Sequence, residues 1–163
     1  MKKSVVLFPL FLILPLAQAA PPHVHGTARL EITLEQQRLE IALDSPLDNL
    51  LGFEHAPRTR KEQETLAAAR ARLQDPAEVF TLTAEAQCVP QPATVDFQHD
   101  ADGHGEVEAQ YVWQCAQPQA LQAITLRLFA HFPRLRHVDV EFVGESGQKA
   151  GKLNAKAARF VLK

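Results

Sequence analysis

Apolar and polar residues alternate from Gly26 to Asp44. Ala28, Leu30, Ile32 and Leu34 occupy one phase, and after the polar stretch Glu35-Gln36-Gln37-Arg38 the alternation resumes with Leu39, Ile41 and Leu43. A period of two on both sides of a short polar connection predicts a β-hairpin. With its turn centred on Gln36 and Gln37, residues whose numbers sum to about 73 face each other, which sets His25 and Gly26 beside Leu47 and Asp48. Pro46 ends the second strand because it cannot donate to a ladder.

A helix is predicted from Thr59 to Gln74. Thr59 and Glu62 have the spacing of a capping box, an Ala/Leu/Arg-rich run follows, and Pro76 stops it. Strands are predicted at Val79–Thr83, Cys88–Phe97 and Glu106–Cys115, the last with Val107, Ala109, Tyr111 and Trp113 on alternate positions. The second and third of these pair as a long hairpin whose tip runs from Gln98 to Gly105. Ile124–Phe129 and Val138–Val143 read as strands around a Phe132-Pro133 turn, Gly144–Gly147 as a turn, and Phe160–Leu162 as a short final strand. The sum is a mostly antiparallel α+β fold with one main helix and no internal repeat.

The first residues change the picture. Lys2 and Lys3 precede an apolar run from Val5 to Leu16, and Ala17-Gln18-Ala19 follows. That order is the one of a secretory signal peptide cleaved after Ala19. A membrane-spanning helix would need roughly 20 apolar residues, whereas this run is shorter and interrupted by Pro9 and Pro15. Residues 20–163 then form a single domain, with 15 basic and 19 acidic residues. No Lys/Arg cluster or interleaving of basic and aromatic residues points to nucleic acid.

An exported chain with two cysteines, Cys88 and Cys115, reads first as disulfide-bridged. The competing reading, two thiolate metal ligands, needs a reducing environment or prior metal occupancy. Enzyme signatures are missing: there is no Gly-x-Ser-x-Gly elbow, no His-Glu-x-x-His helix, no Walker loop and no glycine-rich dinucleotide turn.

Histidine carries the remaining chemistry. His23 and His25, spaced two apart, place two imidazoles on one side of an extended chain. Neutral imidazole is a good ligand for zinc, copper and nickel. His55 follows Asp48 by seven residues, so one turn of chain brings it back towards His25, with Glu54 or Asp48 as a carboxylate ligand or as the acceptor that fixes an imidazole's tautomer. The hairpin tip adds His99, Asp100, Asp102 and His104, a weaker candidate site. His131 and His137 have no acidic neighbour in their loop and read as structural. Because imidazole ligates only when neutral, affinity at such a site falls below about pH 6.5.

Several segments together resemble a known family. They are His23-Val24-His25-Gly26, Ser45-Pro46 followed by Gly52-Phe53-Glu54-His55-Ala56-Pro57, Tyr111-Val112-Trp113-Gln114-Cys115 with its partner Cys88, Leu128-Phe129 with Phe132-Pro133, and Gly147-Gln148. The chain is similar, along the whole length after the signal, to the ZrgA-like family of periplasmic zinc-binding proteins. The resemblance implies a periplasmic protein that binds zinc and supports a zinc uptake system of the ATP-binding cassette type or its binding protein. It also favours His23, His25 and His55 as the retained site. Many relatives carry a long histidine/aspartate-rich insertion between the cysteines, of which only His99-Asp100-Ala101-Asp102-Gly103-His104 remains here. A reading of a different class is a metal-independent envelope module that holds a partner on its helix face or an open sheet edge.

Overall fold

In the computed structural model, which describes residues 24–99, 103–145 and 147–162, the alternating stretch forms the predicted hairpin. Strands β1 (Thr27–Glu35) and β2 (Arg38–Pro46) pair with Arg29 opposite Asp44 and Glu35 opposite Arg38, the expected register. The signal segment 1–19 and the ligand candidate His23 lie outside the described residues, as do Asp100 and Asp102. After β2 a single helical turn, α1 (Asp48–Leu51), closes on Gly52, whose left-handed φ of 82° is readily adopted only by glycine.

The main helix, α2 (Arg60–Gln74), has Thr59 as its N-cap and both bonds of the capping box. Thr59 Oγ1 accepts from the Glu62 amide at 3.2 Å, and Glu62 Oε2 accepts from the amides of Thr59 at 3.0 Å and Arg58 at 2.7 Å. Pro76 ends α2 and also opens a further turn, α3 (Pro76–Val79), capped by the Asp75 side chain. The strands β3 (Phe80–Leu82), β4 (Cys88–Pro90), β5 (Thr94–His99), β6 (Gly105–Cys115) and β7 (Ala123–Leu126) come next. The turn α4 (Leu128–His131) and strands β8 (His137–Gly144), β9 (Gly147–Leu153) and β10 (Arg159–Val161) complete the chain.

The larger sheet has the order β4-β6-β2-β1-β8-β9, with β5 also on β6, and the smaller one β10-β7-β3. The expectation of a mostly antiparallel sheet needs correcting: β1 and β8 run parallel, so the sheet is mixed. After β2 the chain passes through the helices and β3, adds β4, β5 and β6 on the far side of β2, crosses the smaller sheet again at β7 and returns beside the start of β1. There the amides of Arg136 and His137 both donate to the Gly26 carbonyl, at 2.8 and 2.9 Å. Alternation carries no direction, so the sequence could not show this. The strand predicted from Ile124 stops at Leu126, because Leu128–His131 coil into α4. Val79 lies in α3 rather than in the strand predicted to start with it.

The alternating apolar residues all turn to one side. Leu30 and Ile32, Leu39 and Ile41, Tyr111 and Trp113, and Val138 and Val140 are buried in a cluster that Ala69 and Leu73 of α2 and Ile124 of the smaller sheet join. Burying each such aliphatic side chain contributes roughly 1.5–3 kcal/mol. Cys88 and Cys115 face each other across β4 and β6 and are joined by a disulfide, so neither sulfur is a metal ligand. His131 sits among α2, α3 and α4, with Arg72 Nη1 donating to its Nδ1 at 2.8 Å and Glu78 Oε2 3.1 Å from its Nε2, partners from other helices that its own loop does not reveal. Among the described residues no helix is long and apolar enough to cross a membrane.

Candidate metal centre

The site is assembled where the hairpin ends. The hairpin register continues past the strands and brings His25 against Asp48, with His25 Nδ1 3.3 Å from Asp48 Oδ2. The start of β1 is held there by Asn49, one of two buried polar residues among those described. Asn49 Oδ1 accepts from the Gly26 amide, and its Nδ2 donates to the Thr27 carbonyl and to Ser45 Oγ, each at 3.0 Å. The arm that carries His25 is therefore fastened to α1 on one side and to β8 on the other.

The hairpin tip reaches the same place by a close approach of backbones. The Leu47 amide donates to the Gly105 carbonyl at 2.8 Å, and a Cβ on residue 105 would stand 2.3 Å from the Glu54 carbonyl oxygen. Only glycine permits that contact. It sets His104, the preceding residue, against the Glu54 side chain, with Nδ1 3.0 Å from Glu54 Oε2. Glu54 Oε1, in turn, lies 3.5 Å from His25 Nε2. One largely buried carboxylate thus serves two exposed imidazoles from distant parts of the chain.

Proton counting shows what this geometry can hold. A carboxylate only accepts, so His104 Nδ1 is the donor in its contact with Glu54. His25 has a carboxylate at each nitrogen, Asp48 at Nδ1 and Glu54 at Nε2. A neutral ring has one N–H and can satisfy only one of them. The Asp48 contact at 3.3 Å is the hydrogen bond, and the Glu54 approach at 3.5 Å is a looser contact at an exposed ring. The spacings of 3.0–3.5 Å run through different atoms of His25 and Glu54, and these side chains do not bring three donor atoms within 4.8 Å of one another, so a zinc ion with bonds of about 2.0–2.2 Å would have to draw them closer. Nitrogen with carboxylate oxygen suits zinc better than magnesium or calcium.

The other candidates fall out differently. His55 stacks on Phe53 at 5.2 Å, and its Nδ1 donates to the Ala56 carbonyl at 2.9 Å, which leaves Nε2 as the lone-pair nitrogen. His99 ends β5 opposite Gly105 and is exposed. Two contributors have no signal in the sequence reading, Asn49 and Arg134. The first shows only as a polar residue within Leu47–Leu51, and the second reaches Asp48 Oδ1 at 3.4 Å from the loop before β8. On the outer face of the larger sheet, Asp44, Glu106 and Glu108 bring oxygens within 4.8 Å of one another, an all-carboxylate group without the nitrogen donors zinc prefers.

Comparison with curated proteins returns no match. The sequence profile described as ZrgA family zinc uptake protein matches residues 22–162, which take in the hairpin, the Glu54 loop, both cysteines and the His99–His104 tip. That match spans most of the chain, and the chain belongs to the ZrgA family of zinc uptake proteins.

Proposed function

We propose that this chain is an exported, periplasmic zinc-binding accessory protein of a zinc uptake system of the ATP-binding cassette type. Residues 1–19 are its cleaved signal, and residues 20–163 are the working domain, a binder without catalytic activity. Zinc is its cargo. His25, Glu54 and His104 form the heart of the site; His23, which lies outside the described residues, and His55 are further candidate ligands, and His99 is a weaker one. The observation that carries the reading is the meeting of two imidazoles on one carboxylate: Glu54 lies 3.5 Å from His25 Nε2 and 3.0 Å from His104 Nδ1, with Asp48 on the far nitrogen of His25. Membership of a zinc uptake family and the disulfide, which suits an oxidising compartment, support it.

Calorimetric titration of residues 20–163 with zinc tests the reading. A saturable site that disappears in the His25→Ala/His104→Ala double variant is the expected result, and unchanged stoichiometry and affinity in that variant would sink it. A thermal melt separates the reading from a metal-independent envelope module. Zinc at 100 times its dissociation constant stabilises a binder by about 2.7 kcal/mol and leaves a non-binder where it was.

A further inference from the structure

Asp48 holds more than His25. Its Oδ2 faces His25 Nδ1, while its Oδ1 accepts from Arg134 Nη1 at 3.4 Å. The same guanidinium lies across the end of α1, where a Cβ on Gly52 would stand 3.0 Å from Arg134 Nε. The Arg134 carbonyl also lies beside Gly26, next to His25. One cation therefore borders the arm, the α1 cap and the carboxylate behind the candidate ligand. A second cation, Arg136, lays its aliphatic stem against Gly26, and Asp48 and Glu54 each also face an imidazole.

We propose that Arg134 is a built-in competitor that holds zinc affinity down at this site. Its positive charge pairs with Asp48 and weakens the field that draws a divalent cation to His25 and Glu54. A unit charge within about 8 Å of a divalent ion lowers its affinity several-fold even at the dielectric of water. Half-exposed as it is, the effect is screened by salt. An uptake accessory that must give its cargo up gains from such a charge, because release speeds up as affinity falls. The inference rests on the proposed zinc site and adds a residue that tunes it without being a ligand.

The test is a charge series at one position, read as zinc affinity by chelator competition on residues 20–163, with a melting curve of each metal-free protein. Arg134→Lys is expected to bind within about two-fold of the parent, Arg134→Gln three- to ten-fold tighter, and Arg134→Glu tighter still. The spread is expected to narrow between low salt and 0.5 M salt. If Arg134 merely braced Asp48 structurally, the Gln and Glu variants would bind more weakly and melt lower, which overturns the proposal, as does a flat series. A parallel Glu54→Gln variant keeps the two questions apart. If it weakens zinc binding while the Arg134 series stays flat, this inference alone fails; if it leaves binding unchanged, the site fails and the inference with it.

Discussion

At the scale of single residues, the site depends on what one position, Gly105, excludes. Gly105 has no room for a methyl group, because the Glu54 carbonyl occupies the space. Gly105→Ala must push the Glu54 loop away from β6, at a cost of about 1–3 kcal/mol for the overpacking. His104 and Glu54 would separate with it, so we expect a lower melting temperature together with weaker zinc binding in calorimetry. A variant that melts lower but binds zinc as before would dissociate His104 from the site. Tyr111 makes the opposite case. Its ring packs edge-on to Phe80 at 5.0 Å, yet no protein group among the described residues bonds its hydroxyl, and burial pushes that hydroxyl's pKa well up. Removing an unsatisfied buried hydroxyl while keeping the ring is neutral or favourable. Tyr111→Phe is therefore expected to melt at the parent's temperature or a few degrees above, and a clear fall would mean that the hydroxyl has a partner.

Among the elements, those with strong local signals were legible. The β1–β2 register followed from the position of the turn, and with it the meeting of His25 and Asp48. The Thr59/Glu62 spacing gave the start of α2. What could not be read has a physical cause in each case. β9 exposes Gln148, Lys149 and Ala150 alike as an edge strand, so it shows no apolar phase. His104 reaches Glu54 across 50 residues, through a backbone contact that no local pattern announces. The capping box carries a prediction of its own. Backbone amides of Arg58 and Thr59 hold the Glu62 carboxyl below its usual pKa. A carboxyl lowered on folding adds stability that is fully present above its unfolded value, near 4.5, and is lost as pH falls through the folded one. Glu62→Gln keeps the hydrogen-bonding reach without the charge. Its melting temperature should trail the parent's at pH 7 and converge with it in acid, below about pH 4. A gap that is constant with pH would show that the charge contributes nothing.

Across the whole molecule, β6 separates the two features that tie the fold together. Gly105, at one end, abuts the Glu54 loop, and Cys115, at the other, is bonded to Cys88. Eleven residues of strand at about 3.3 Å each put the bridge some 30 Å from the candidate zinc site. Changes that far apart, with no shared partner, act independently on stability. The bridge closes a loop with a sequence separation of 27, and in the loop-entropy description that is a stabilisation of roughly 3–4 kcal/mol. We therefore expect the Cys88→Ala/Cys115→Ala variant to melt well below the parent. While folded, it should bind zinc with an affinity within about two-fold, and saturating zinc should raise its stability by the same free energy as in the parent. The measurement is a pair of zinc titrations at a temperature where both proteins are folded, with melts at matched saturation. Were the variant to lose zinc affinity while still folded, the hairpin of β5 and β6 would have to transmit strain along its whole length to His104. The site would then be a property of the entire sheet rather than of the end where the β1–β2 hairpin, the Glu54 loop and the tip meet.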